Sequence, residues 1–138
     1  MESVATDRFN DYSRQWGLAP DGAPIRTPIG ALSPVRQNGV PLMLKIAAAQ
    51  EEQAGGALLA WWNGDGAARV FARDGDALLM ERATGERSLA AMAARGKDDE
   101  ACRIICRVVA RLHRPRETPT PTLVPLAHWF RALAPAAA

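Results

Sequence analysis

Between residues 25 and 81, apolar and polar residues follow a mostly strand-like pattern. Two pairs of such segments flank an Asn-Gly or Asp-Gly dipeptide: residues 31–37 and 40–46 around Asn38-Gly39, and residues 68–73 and 76–81 around Asp74-Gly75. Both dipeptides suit type I′ turns, in which both central residues have a positive φ. The pattern therefore predicts two antiparallel β-hairpins.

Helical patterns fill most of the remaining chain. Residues 51–62 lie between the hairpins and predict a helix that turns Leu58, Leu59 and Trp62 inward. Beyond Gly85 three helices are predicted: residues 88–95 ended by Gly96, residues 98–113 capped by Asp98, and a last short helix at residues 123–133. At the start of the chain, a short helix anchored by Phe9, Tyr12 and Trp16 is expected.

This order of elements predicts an α+β fold. An antiparallel sheet carries one packed helix and is followed by an all-helical segment. We expect a partly ordered lead-in at residues 1–23, the sheet and its helix at residues 24–85, and the helical segment at residues 86–138.

The composition excludes several classes of protein. Hydrophobic residues make up 48% of the 138 residues, which is enough for a core, so a wholly disordered chain is excluded. The net charge of +2 is too small to indicate nucleic-acid binding by itself. Because the first eight residues lack a targeting pattern and no apolar run approaches the length of a membrane span, we expect a cytoplasmic protein with reduced thiols.

Lys45 is the residue that stands out in the predicted sheet. In its strand, Leu42, Leu44 and Ile46 share one face, and Met43 and Lys45 share the other. A lysine that projects from the middle of a sheet can neutralise a phosphate. On residue type alone, however, the simpler interpretation of a lysine that extends its ammonium to the sheet surface is favoured.

Glu51 and Glu52 open the helix between the hairpins. In an isolated helix both would simply complement the positive end of the helix dipole. Alternatively, one of them reaches Lys45 and holds it toward a phosphate. Because adjacent helical residues point about 100° apart, the two do not form a paired-carboxylate acid–base site.

The helix at residues 98–113 carries two further candidates. Cys102, Cys106 and His113 share a face, and His128 is the only obvious fourth ligand for a metal. Their spacing matches no standard zinc module. We therefore favour cysteines of the core, and no metal site is expected.

Arg103, Arg107 and Arg111 form a basic stripe on the same helix. Acidic residues at the start of the same helix favour a solvated or partner-facing surface over nucleic-acid binding.

The sequence contains no G-x-G-x-x-G or Walker A motif and no evident Ser-His-Asp set. Several segments in order nevertheless resemble the aminoglycoside/hydroxyurea antibiotic resistance kinase family, and within it the streptomycin 6-phosphotransferases. They are residues 42–46, Glu51-Glu52, and residues 58–71, 77–85, 98–104, 110–113 and 128–130. The resemblance covers roughly residues 16–133, the N-terminal half of such an enzyme.

The resemblance implies a protein-kinase-like N-lobe followed by the first helices of a truncated C-lobe. It makes Lys45 the ATP-phosphate lysine, paired with Glu52 or, less favoured, Glu51. Met43 would cover the adenine. The hinge would be residues 80–83, from Met80 onward, with the Glu81 carbonyl and the Ala83 amide bonding the adenine edge.

The chain also departs from the family pattern. The phosphate-covering turn, expected near residues 27–33, has Pro28 in place of a backbone donor. The family's His-Gly-Asp catalytic loop and its later metal-binding Asp are absent, so the magnesium ligands are expected outside this chain. We therefore expect an ATP-binding half of an aminoglycoside phosphotransferase that does not transfer phosphate alone.

Two further expectations concern partners. Apolar residues of the helical segment that would face a C-lobe predict self-association: Cys102, Ile105, Val109, Leu112, Trp129 and Phe130. The alternative function is a non-enzymatic binding module that uses the face of Arg103, Arg107 and Arg111.

Overall fold

A computed structural model describes residues 2–136 of the chain. Its centre is an antiparallel six-stranded sheet with the order β1-β3-β4-β6-β5, in which β2 also pairs with β3. The strands are β1 (Ala19–Pro20), β2 (Ile25–Thr27), β3 (Gly30–Gln37), β4 (Val40–Ala47), β5 (Val70–Asp74) and β6 (Ala77–Glu81). The predicted hairpins are β3–β4 and β5–β6, and β4 joins them by pairing with β6.

Six helices accompany the sheet in the described part of the chain: α1 (Glu2–Trp16), α2 (Gln50–Trp62), α3 (Leu89–Ala94), α4 (Asp98–Leu112), α5 (Leu126–Trp129) and α6 (Leu133–Ala136). The sheet with α2, followed by a helical segment, confirms the α+β class and the kinase-like N-lobe. None of the helices within residues 2–136 is long and apolar enough to cross a membrane.

The first predicted turn is confirmed, and the second lies one residue later than expected. Asn38 and Gly39 have φ values of 50° and 80°, as a type I′ turn requires. In the second hairpin Asp74 is still in β5 and pairs with Ala77, so the turn residues are Gly75 and Asp76. Gly75 takes the positive φ of 56°.

The main hydrophobic core lies between α1 and one face of the sheet. Phe9 of α1 and Leu18 just after it join inward residues of β3, β4 and β6: Ala31, Val35, Leu42, Leu44, Ile46, Ala77 and Leu79. Tyr12 and Trp16 pack against this core, and the guanidinium of Arg8 pairs with Asp76 in the β5–β6 turn. A short helix was expected around these aromatic residues, and the structure extends it over fifteen residues.

The helical segment differs from its prediction at two points. Asp98 does not cap α4, because it is the first residue of the helix and Lys97 holds the cap position. The expected helix at residues 123–133 forms only in part. Residues 123–125 lie outside helices and strands, α5 covers Leu126–Trp129, and the chain turns before α6 begins at Leu133. Pro125 explains the late start, since a proline disfavours helical backbone in the residue before it.

Candidate functional site

The alternation of β4 places Lys45 on the face of the sheet that α1 does not cover. Leu42, Leu44 and Ile46 are buried in the α1 core, whereas Met43 and Lys45 are only partly buried. This division of the strand into two faces was predicted from the sequence. Lys45 consequently lies on the same side of the sheet as α2.

The structure pairs Lys45 with Glu52. The Lys45 ammonium donates to the Glu52 carboxylate, and the two side chains are 25% and 22% exposed. Glu51 lies elsewhere, with one carboxylate oxygen 3.9 Å from Nε2 of His128. The sequence left open which of the two glutamates contacts Lys45, and in the structure it is Glu52. Lys45 is therefore not a solitary cation at the sheet surface.

A cleft of about 630 Å³ reaches Met43, which stands two residues before Lys45 on β4. Four of the predicted nucleotide residues line it together: Met43, Met80, Glu81 and Ala83. Met43 and Met80 are directly opposite each other on β4 and β6. Lys45 and Glu52 line a separate and much smaller cavity of about 10 Å³ with Gly56. Met43, Met80 and Lys45 share one face of the sheet, whereas Glu81 and Ala83 reach the cleft from the end of β6.

The end of β6 is fixed by contacts that sequence reasoning missed. The Glu81 amide donates to the Arg69 carbonyl at 2.8 Å, and the Arg69 amide donates to the Glu81 carboxylate at 3.2 Å. The next residue, Arg82, pairs with Asp21, which also accepts from Arg36 at 3.1 Å. Hydrogen bonds from Arg82 and Arg36 hold the pKa of Asp21 below its usual value. No local pattern links positions 21 and 82.

The turn expected to cover phosphates lies between β2 and β3. Thr27 pairs with Gly30, and the Ile29 carbonyl accepts from the Ala48 amide at 3.1 Å. A Cβ on Gly30 would lie 2.6 Å from the Ile46 carbonyl oxygen, so this close approach to β4 requires glycine. The turn is therefore held near the end of the Lys45 strand. Its role toward a phosphate stays a prediction.

The other sequence candidates are dispersed. Cys102 and Cys106 are exposed free thiols rather than core residues, and His128 faces Glu51 instead of joining them. Within the described residues, no group of three histidine, cysteine or acidic side chains is arranged to hold a metal.

The basic stripe is interrupted at Arg111. Its Nε donates to Asp65 at 2.5 Å, and Arg114 and Arg116 contact the same carboxylate. The hydrogen bond from Arg111 and the charges of the other two arginines hold the pKa of Asp65 below its usual value. Arg103 and Arg107 form no comparable ion pair in the described part of the chain.

Comparison with known proteins identifies the family. The profile of the aminoglycoside/hydroxyurea antibiotic resistance kinases matches residues 15–138. The chain belongs to this family. A streptomycin 3''-kinase of Klebsiella pneumoniae is 53% identical over 119 residues, which is 86% of this chain and 45% of that protein. The resistance kinase chain thus spans less than half the length of this relative. No solved structure matches this chain.

The family match confirms the resemblance inferred from the sequence. It begins at residue 15, so almost all of α1 lies outside it. The relative's name specifies a 3''-kinase, whereas the sequence segments indicated the 6-phosphotransferases. Membership of the resistance kinase family is therefore established, and the hydroxyl that accepts the phosphate stays a prediction.

Proposed function

We propose that this resistance kinase chain binds the nucleotide in ATP-dependent phosphorylation of an aminoglycoside. The observation that carries the proposal is the Lys45–Glu52 ion pair on the same face of β4 as Met43, which lines a cleft together with Met80 and Ala83. A lysine held by a helix glutamate is the arrangement by which kinases place a cation on the nucleotide phosphates.

Each residue of the site has a distinct proposed role. Lys45 neutralises the phosphates as a point charge, and Glu52 keeps its ammonium on the cleft side of the sheet. Met43 provides an apolar roof for the adenine. Glu81 and Ala83 offer backbone groups to the adenine edge at the end of β6, where the Asp21–Arg82 pair fixes the chain.

The proposed acceptor is an aminoglycoside, with streptomycin as the first candidate. The curated relative is named for this substrate, and the sequence resemblance indicated the same substrate. The 138 residues contain no His-Gly-Asp sequence to provide a catalytic base. We therefore propose that this chain alone holds ATP without transferring its phosphate, in the cytoplasm, with magnesium ligands supplied from outside these residues.

Calorimetric titrations of MgATP and of adenosine into the chain test this proposal. We expect measurable binding of both ligands, with tighter binding of MgATP because Lys45 contacts only the phosphates. A parallel assay with labelled ATP and streptomycin should show no transfer. Absence of MgATP binding would contradict the nucleotide role, and transfer by the purified chain would contradict the inactivity.

The exposed apolar surface of the helical segment supports the prediction of self-association. Ile105 and Val109 of α4 are 48% and 43% exposed, and Trp129 and Phe130 are each 57% exposed. Exposed apolar patches usually mark interaction sites, and these four side chains provide apolar surface for one. We expect sedimentation velocity to show dimers or larger species that increase with protein concentration.

Matched variants separate this surface from a general effect of apolar exposure. Replacing Trp129 and Phe130 by serine should shift the population toward monomer. Val40→Ser, which removes a 52% exposed apolar side chain beside the β3–β4 turn, should not. A monomer at all concentrations of the unmodified chain would contradict the prediction.

A further inference from the structure

The packing of α2 against the sheet buries little of the helix, so a hydrophobic core contributes little to its position. Within this helix only Gly56 is buried, against Leu78 of β6, while the main core lies on the opposite face of the sheet with α1. Glu52 stands in the first turn of α2. Where its carboxylate lies relative to Lys45 therefore depends strongly on what holds the two ends of the helix.

Two indoles anchor the C-terminal end of α2. Trp61 donates through Nε1 to the Thr118 carbonyl at 3.0 Å, and Trp62 donates through Nε1 to the Leu112 carbonyl at 3.1 Å. Both acceptors belong to the helical segment at or beyond the end of α4. The end of the helix is thus attached to the helical segment as well as to the sheet.

The loop that follows α2 adds an ionic attachment, which we call the Asp65 hub. It consists of the Asp65 carboxylate and the guanidinium groups of Arg111, Arg114 and Arg116, at 2.5, 3.1 and 3.0 Å. Of the three, Arg116 is the most buried, with 14% of its side chain exposed.

Arg116 connects the hub to the aromatic anchor. Its guanidinium lies 4.8 Å from the centre of the Trp61 ring and donates to the Leu112 carbonyl at 2.8 Å. Gly66 packs tightly in the same place, because a Cβ there would lie 3.1 Å from the Leu112 side chain. The hub and the two indoles consequently hold one end of α2 as a single unit.

We propose that Asp65 is a positioning residue that keeps Glu52 in contact with Lys45 by fixing the C-terminal end of α2. Glu52 and Trp62 are ten residues apart, roughly 15 Å along the helix axis. Because α2 begins three residues after the end of β4, its first turn is tethered to the sheet, and a shift at the hub tilts the helix about that end and turns the Glu52 carboxylate relative to Lys45. The importance of this contact for nucleotide binding rests on the proposed function, whereas the contact itself can be tested without a ligand.

Chemical labelling of lysines tests the proposal directly. The chain has two lysines, Lys45 and Lys97, and Lys97 is exposed, so it serves as an internal reference. Asp65→Asn keeps the shape of the side chain and removes the charge that the three arginines share. We expect acetylation of Lys45 relative to Lys97, measured by mass spectrometry, to increase roughly three- to tenfold.

Two controls separate positioning from general destabilisation. Asp99→Asn, an exposed aspartate in the first turn of α4, should leave the ratio unchanged. Phe9→Ala, which weakens the core on the opposite face of the sheet, should not raise the ratio under conditions where the protein remains folded. An equal increase in Phe9→Ala would show that the Asp65 effect is only loss of stability and would overturn the proposal.

The double variant tests whether Asp65 acts through the ion pair. Glu52→Gln should itself raise the labelling of Lys45, and Asp65→Asn should add nothing in that background. Additive effects, or an unchanged ratio in Asp65→Asn, would overturn the proposal.

Nucleotide titrations then distinguish the hub from the proposed function. Asp65→Asn should weaken MgATP binding more than adenosine binding, because only the phosphates contact Lys45, whereas Arg111 of the hub lines the cleft itself. If Asp65→Asn raises the acetylation of Lys45 but the unmodified chain binds neither ligand, the positioning role of Asp65 is supported and the proposed nucleotide function is contradicted. Equal weakening of both ligands would contradict an action through Lys45.

Discussion

Replacement of Lys45 by alanine should weaken MgATP binding roughly ten- to hundredfold. A hydrogen bond to a charged group contributes about 1.5–3 kcal/mol, and each 1.4 kcal/mol corresponds to a factor of about ten in affinity. Lys45 is suited to this contact because it is partly buried, faces the cleft side of the sheet and is held by Glu52. Calorimetric titration of MgATP into both proteins measures the difference.

Lys97→Ala is the matched control, since Lys97 is the other lysine of the chain and is exposed before α4. It should bind MgATP as the unmodified protein does. Adenosine should bind the Lys45→Ala variant with unchanged affinity, because it has no phosphate for the ammonium to contact. Equal MgATP affinity in the Lys45→Ala and unmodified proteins would refute the assignment of Lys45 to the phosphates.

Replacement of Phe9 by alanine should lower the free energy of unfolding by about 3–5 kcal/mol, the usual cost of removing a buried phenylalanine ring. Phe9 is 7% exposed and joins the α1 helix to the core residues of β3, β4 and β6. This helix lies mostly outside the family match, yet it covers the central strands on one face of the sheet. Urea unfolding followed by circular dichroism measures the loss.

Phe130→Ala is the comparison variant for this experiment. Phe130 is 57% exposed, so its removal should change the free energy of unfolding of the monomer by less than about 0.5 kcal/mol. A loss below about 1 kcal/mol in Phe9→Ala would mean that α1 contributes little to the stability of the sheet.

Local sequence patterns were sufficient for the elements whose determinants are close in the chain. Asn38-Gly39 formed the expected turn because both residues tolerate a positive φ. The alternation of β4 placed Lys45 and the buried leucines on opposite faces, as a period of two requires. Gly75 shows the limit of such local patterns. A two-residue turn could use either Asp74 and Gly75 or Gly75 and Asp76, and the pairing of β5 with β6 selects the second.

Long-range contacts decided the features that the sequence missed. The Asp21–Arg82 pair and the Asp65 hub join residues 61 and 46–51 positions apart, and no periodicity connects such positions. The basic stripe on α4 is partly neutralised at Arg111 by the same kind of contact, since a carboxylate from a distant loop pairs with this arginine. α1 exceeded its expected length in the structure, where it packs on a sheet whose inner face is assembled from three strands.

By itself, the sequence determined the α+β class, the two hairpins, the main helices, the face on which Lys45 stands and the resemblance to the resistance kinase family. These depend on local backbone preferences, on side-chain periodicity and on the order of short segments. Only the tertiary structure decided that Glu52 rather than Glu51 meets Lys45, because neighbouring helical residues point about 100° apart and the packing of α2 selects one of them. It also decided that Asp65 gathers three arginines, because that carboxylate and those guanidinium groups become neighbours only when the C-terminal ends of α2 and α4 meet.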